Sequence, residues 1–377
     1  MHVGIVVFND VDYGLDLANA LHEVGAEPSL YLSARHVAPY LGTVAPAAER
    51  LHELQLIPAT CNVRTYELPR TRDPRSVQAM WRIACHLQRD RVDVVHILAG
   101  PGELWPAALS LFVRRLPVVC TMIIPRPNVG ESLPGFVPVA VYQLLAWQSD
   151  LVVVNGAAQV AEVQDLYGLP AERVAYVPLG PRTTALKWAR VRFEEDPATV
   201  LFFGAARPHK GLQYLVQAQP LVTQRIPDAK FLIASRGDDL KRCQELIVDR
   251  GRFEIYDGFV PGDRAAEYFQ RACAVILPYL SASTSGILMT AAVFGKPVVA
   301  TCVGCLPEYV QDGVTGQLVP PADVESLAGA IIKLLSDDTL RRQMGQQAYR
   351  YAQEQRLTAT HETLRAYERA VRLHNHA

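Results

Sequence analysis

Leu201-Phe202-Phe203-Gly204-Ala205-Ala206-Arg207-Pro208-His209-Lys210-Gly211-Leu212 is the stretch whose reading decides the fold. An apolar run ends at a glycine, a short loop carries two cations, and a helical pattern opens at Leu212. That is the strand–turn–helix unit of a parallel sheet. Arg207 offers a planar fork and Lys210 a point charge, and three residues apart at such a turn they suit two adjacent phosphoryl groups. The alternative is a pair of solvated surface cations.

Outward from this segment the same alternation continues in both directions. Strands are predicted near His2–Phe8, Ser29–Leu32, Val92–Leu98, Val118–Met122, Leu151–Val154 and Val174–Pro178. They are β-branched and continuous, as strands covered on both faces should be. Leu15–Val24 and Ser76–Arg89 read as intervening helices. Pro178-Leu179-Gly180-Pro181 and the polar run to Pro197 break the pattern and set a domain boundary. A second series follows, with strands from Thr199 and near Lys230–Ala234, Val275–Leu277, Val298–Ala300 and Gln317–Val319. Asp323 caps a helix whose apolar positions are Val324, Leu327, Ala328, Ile331 and Leu335, and the chain beyond Asp337 is helical. The expected organisation is an N-terminal Rossmann-like domain over 1–180, a linker over 181–198, a second Rossmann-like domain over 199–355 and a closing helix over 356–377. Two such α/β domains in tandem place a ligand in the cleft between them.

Size and composition agree. The chain has 377 residues, half of them hydrophobic and 20% charged, enough for two cores. A net charge of -1 excludes the basic footprint of a nucleic-acid binder. Seven dispersed cysteines read as reduced thiols, and Cys302-Val303-Gly304-Cys305 lacks the second pair that a zinc site needs. No stretch is long enough to span a bilayer, so a cytoplasmic protein is expected. The apolar run Phe136–Trp147 is a buried helix or an interfacial one, which leaves peripheral contact with the inner face of a membrane open.

A second loop, Ser281-Ala282-Ser283-Thr284-Ser285-Gly286-Ile287, follows a strand and opens a helix. Its hydroxyls are expected to cap that helix, whose free N–H groups favour an anion.

Gly204…Arg207-x-x-Lys210-Gly211-Leu212, Gly295-Lys296-Pro297-Val298-Val299-Ala300-Thr301, Val303-Gly304-Cys305-Leu306-Pro307-Glu308 and Asp312-Gly313-Val314-Thr315-Gly316 resemble glycosyl transferases group 1, retaining enzymes of glycosyltransferase family 4 with the GT-B fold. The resemblance is specific over Val200–Met344 and looser before it. It implies a hexosyltransferase using a UDP or GDP sugar as co-substrate, with no resident cofactor and no metal. Gly204, Arg207 and Lys210 would then hold the donor diphosphate. Thr284, Ser285, Gly286, Ile287 and Thr290 would meet phosphate and sugar, and Phe259 and Val260 the base. The last helix would cross back to the first domain.

The departures are equally definite. Family members carry two glutamates where this chain has Ala282 and Thr290, of which only Thr290 can still donate a hydrogen bond. A His–Asp pair is replaced by Ile123-Ile124, which cannot move protons. The glycine-rich loop after the first strand shrinks to Asn9-Asp10-Val11-Asp12-Tyr13-Gly14; its D-x-D resembles a metal motif of a different transferase fold. Gly14, Asp12, Asp16, His96, Arg126 and Glu131 are candidate contacts for a glycan, lipid or small-molecule acceptor, with a satisfied core histidine as the alternative for His96. The rival readings are a catalytically silent GT-B subunit, which binds a nucleotide sugar or a partner transferase, and a sugar-nucleotide epimerase. Oligomeric state stays open.

Overall fold

The computed structural model describes residues 1–41, 47–68, 73, 75–100, 104–125 and 139–376. Among these, one compact unit takes the chain up to Gly180 together with Arg356 onward, and a second takes Pro181–Gln355.

The first unit holds β1 (His2–Val7), β2 (Glu27–Ser33), β3 (Asn62–Tyr66), β4 (Val94–Ala99), β5 (Val118–Met122), β6 (Leu151–Val154) and β7 (Val174–Tyr176). They form one parallel sheet in the order β3-β2-β1-β4-β5-β6-β7. Its helices are α1 (Val11–Glu23), α2 (Ala34–Leu41), α3 (Ala47–Glu53), α4 (Arg75–Arg89), α5 (Trp105–Phe112), α6 (Val139–Gln148) and α7 (Gln159–Tyr167). The second unit begins with α8 (Thr184–Trp188), within the stretch expected to be linker. Its strands are β8 (Thr199–Ala205), β9 (Lys230–Arg236), β10 (Phe253–Asp257), β11 (Ala274–Leu277), β12 (Val298–Thr301) and β13 (Gly316–Val319). They too are all parallel, in the order β10-β9-β8-β11-β12-β13. Helices α9 (Leu212–Arg225), α10 (Asp238–Glu245), α11 (Gly262–Arg271), α12 (Gly286–Val293), α13 (Leu306–Tyr309) and α14 (Val324–Ser336) connect them, and α15 (Asp338–His376) closes the chain.

Central strands are buried end to end, as their continuous apolar runs require. The edge strands β3 (Asn-Val-Arg-Thr-Tyr) and β10 (Phe-Glu-Ile-Tyr-Asp) were not anticipated, because half-exposed edges carry polar residues that break an apolar run. Helix α1 starts earlier than expected, at Val11, since the Asp10 carboxylate accepts the Tyr13 amide at 3.0 Å and caps it. A Cβ at Gly14 would lie 2.4 Å from Val7 Cγ2, so this glycine lets α1 press onto β1. Helix α14 has the expected cap, with Asp323 accepting the Ser326 amide at 2.9 Å. Its core face runs through Leu327, Ala328, Ile331 and Leu334, with Leu335 only partly buried.

Helix α15 is continuous over 39 residues. Its part from Arg356 belongs to the first unit, where Arg369 donates to the Ala171 carbonyl at 3.0 Å and His374 meets Asp150 at 3.2 Å. Tyr367, fully buried, places its hydroxyl 2.7 Å from His96 Nδ1, and the other ring nitrogen lies 2.7 Å from Thr121 Oγ1. His96 is thus a tie between sheet and helix, with both ring nitrogens engaged.

Burial holds the His96 imidazole neutral and pulls its pKa down to about 3. An unfolded chain protonates this residue below its ordinary value of 6.5, so the stabilising term is whole above that pH and is lost on acidification. We expect denaturant titrations to show stability falling by up to about 1.4 kcal/mol per pH unit from this group between pH 6.5 and about 4. His96→Gln should flatten that slope.

Candidate functional site

In each sheet the strand order reverses direction beside the first strand, between β1 and β4 and between β8 and β11. The crevice beyond the strand C-termini at such a switch is where open α/β sheets bind ligands. In the second unit both anion-suited loops leave the sheet there.

The first loop leaves β8 at Gly204, whose φ of +107° suits glycine, and a Cβ there would stand 3.9 Å from the Ile287 side chain. Arg207 is extended and exposed, and Pro208–Lys210 form one 3₁₀ turn ending at Gly211, φ +64°. The second loop leaves β11 at Pro278. The two loops are joined backbone to backbone, with the Leu280 amide donating to the His209 carbonyl at 2.7 Å. A Cβ at Gly211 would lie 1.9 Å from the Pro278 carbonyl oxygen, so only glycine permits this approach. The contact sets the Lys210 ammonium 3.7 Å from the centre of the buried Tyr279 ring. The Tyr279 hydroxyl lies 3.4 Å from Ser285 Oγ.

Ser285 precedes α12 but makes no side-chain cap, contrary to expectation; the free amides of the first turn are not used up by hydroxyls. The loop is instead held from below. Cys305 donates its amide to the Ser283 carbonyl at 3.0 Å, and Gly304, φ +51°, lets the Ala282 carbonyl come close. Thr290, expected to face a ligand, donates its hydroxyl to the Gly286 carbonyl at 2.9 Å and so spends its hydrogen inside α12.

Sequence reasoning missed Arg182. Its guanidinium is 7% exposed and lies 3.0 to 3.1 Å from where a Cβ of Gly286 would stand, through Nε and Nη2. A buried cation therefore adjoins the positive end of α12. Nothing near Arg182 in sequence signals this; it comes from a segment a hundred residues away from α12. Arg236 was missed too. It sits 5.3 Å from the Phe259 ring, and Phe259 itself is 39% exposed. The turn carrying Phe259 and Val260 is anchored by the Gly258 amide on the Ser235 carbonyl at 2.9 Å, while Ser235 Oγ donates to the Gly204 carbonyl at 2.5 Å. Gly204, Lys210, Tyr279, Ser285, Gly286, Ile287 and Arg182 are thus linked within one unit, with the Phe259 turn tied to the end of β8.

Other motif residues are architectural. Lys296 is buried, pairs with Glu195 and donates to the Gln270 carbonyl at 3.1 Å. Asp312 accepts the Leu318 amide at 2.9 Å and shapes the turn before β13. Cys302 is exposed and Cys305 buried, and no metal-binding group of three or more His, Cys, Asp or Glu occurs among the described residues. In the first unit Asp16 is buried on α1. Arg126 and Glu131 lie outside the described residues, as do the first three positions, 136–138, of the apolar run ending at Trp147, whose remainder is α6. No helix of the described chain is long and apolar enough to cross a membrane.

The chain belongs to the group 1 glycosyl transferases of the GT-B fold. The family described as Glycosyl transferases group 1 matches residues 197–337, and the Glycosyl transferase 4-like domain matches 12–180. The D-inositol 3-phosphate glycosyltransferase of Pseudarthrobacter chlorophenolicus is 27% identical over 96% of this chain and 90% of its own. That of Acidothermus cellulolyticus is 30% identical over 54% of this chain and 49% of its own. Most such matches span about half the length of the curated relative. An Anabaena structure in complex with UDP-glucose shares the fold, with a TM-score of 0.68 over 98% of both chains at 17% identity.

Gly211→Ala is expected to force the two loops apart, since it adds both left-handed strain and a clash with Pro278. Urea denaturation should register a loss on the order of 1–3 kcal/mol, whereas Gly313→Ala, with open space at its Cβ, should show only the strain.

Proposed function

We propose that this protein moves a hexose from a nucleotide-diphosphate donor to an acceptor hydroxyl, with retention at the anomeric carbon and without a metal. The observation that carries the reading is the joining of the Lys210 turn to the Ser285–Ile287 loop at the sheet's switch point. Family membership and the names of the relatives support it, and the UDP-glucose bound by the Anabaena structure supports a uridine or similar donor.

In this reading Arg207 and Lys210 hold the diphosphate and the amides of Ser285–Ile287 meet its distal phosphate. Arg182 adds a third cation beside Gly286. The sugar C1–oxygen bond breaks toward the β-phosphate, and these groups stabilise the charge that grows there. The acceptor oxygen forms its bond on the same face, and its proton passes to the departing phosphate. No protein base is then required, which accommodates Ile123-Ile124. Phe259, flanked by Arg236, offers the base a stacking surface. Acceptor contacts fall to the first unit, with Asp16 and Arg126 as candidates.

A second reading, a silent nucleotide-sugar-binding subunit, is favoured by one observation: Thr290 turns its hydroxyl to Gly286 where the family has glutamate.

A panel of UDP and GDP sugars separates the two. Transfer predicts slow release of nucleoside diphosphate from one donor. Lys210→Ala and Arg182→Ala should each lower kcat on the order of 10²-fold. Arg182→Lys should restore only part of the rate, because an ammonium lacks the fork. Saturable donor binding with no release, with any acceptor offered, identifies the silent subunit.

A further inference from the structure

We infer that the outer face of the α4–α5–α6 layer is a docking surface for an anionic lipid membrane. The inference stands apart from the proposed transfer and needs no turnover. These three helices bury their inner residues against one face of the seven-stranded sheet, in a single core with Val95, Ile97, Cys120 and Val152. Their outer faces therefore point the same way, away from the sheet.

Those outer faces are unusually apolar. Val77 and Trp81 on α4 are 54% and 55% exposed, Leu111 and Phe112 on α5 are 47% and 37%, and Leu144 and Trp147 on α6 are 40% and 56%. Isolated exposed apolar residues are ordinary; six on three adjacent helices form a patch. Trp147 is held rigidly. Its Nε1 donates to the Tyr167 carbonyl at 2.7 Å, so the indole has no polar demand left, and Arg173 donates to the carbonyls of Ala146, Trp147 and Ser149 at 3.1, 2.8 and 2.6 Å.

The charged side chains that these three helices themselves carry have one sign. Helices α4, α5 and α6 contain no Asp or Glu. Arg82 and Arg89 on α4, and Arg114 and Arg115 just after α5, are all exposed. None of the four enters a salt bridge among the described residues, although Arg50, Arg264, Arg271 and Arg365 elsewhere do. The carboxylates that flank these helices are each engaged, Asp73 with Arg75, Asp90 with Arg64 and Asp150 with His374, and the next helix, α7, carries Glu162 and Asp165.

Exposed aromatics beside unpaired arginines match the boundary between acyl chains and anionic headgroups. A second copy fits less well. A two-fold interface is self-complementary, so it would set these arginines against themselves with no carboxylate on the three helices of either copy.

The test is vesicle sedimentation of the full chain, at low and physiological salt, with phosphatidylcholine alone and with about a third phosphatidylglycerol added. The expected result is binding to the anionic vesicles only, weakened by salt. Both Trp81→Ser/Phe112→Ser and Arg114→Glu/Arg115→Glu should lower partitioning about tenfold or more, with melting temperature as the control for folding. Quenching of wild-type tryptophan emission by brominated lipid reads the same contact without any variant. Equal binding to neutral vesicles, no binding, or no quenching overturns the inference. So does a dimer in light scattering that Trp81→Ser dissolves, which would assign the face to self-association.

Discussion

Where the turn ending at Gly211 meets the end of β11, two stretches of backbone come so close that a single methyl group would lie 1.9 Å from a carbonyl oxygen. That approach, closed by the Leu280 amide on the His209 carbonyl, is the constraint on which the second unit's crevice is built. It seats the Lys210 ammonium on the Tyr279 ring and holds Tyr279 next to the start of α12. Two loops separated by some seventy residues become one surface through main-chain contacts that leave side chains and first-turn amides available for a ligand.

The same economy recurs where the chain buries polar groups. His96 has a partner on each ring nitrogen. Lys296 and Arg341, 6% and 2% exposed, converge on Glu195 and so pin the segment entering β8 to the rest of the second unit. A charge in such a place is tolerable only with its partner, and removing one partner costs more than the pair contributes. The lysine inside the Gly-Lys-Pro motif is for that reason part of the scaffold, although its neighbours in sequence lead toward the crevice.

Much of this was legible in the sequence, and for a uniform reason. Strands buried on both faces must be apolar throughout, so β1, β5, β6 and β12 announce themselves, and the Asp323 cap marks α14. The edges β3 and β10 are hidden because solvent permits polar residues there. Within the site, Arg207, Lys210 and the Ser285 loop could be found because each sits in a local strand–turn–helix pattern. Arg182 could not, since its importance lies in proximity to Gly286, a tertiary contact without a local signature. Ser285 and Thr290 show the opposite limit: hydroxyls correctly placed in sequence can spend their hydrogen bonds elsewhere, on Tyr279 and on the helix backbone.

Helix α15 carries one further implication, for the order in which the protein is made. The segment from Arg356 on, with Tyr367, Arg369 and His374, completes the first unit, yet it is synthesised after the entire second sheet. Until it emerges, the nascent first unit lacks the Tyr367 hydroxyl that His96 Nδ1 engages and the helix that covers it. Domains released in sequence from the ribosome usually mature in that sequence. Here the half that is translated first is the half that must wait to be finished.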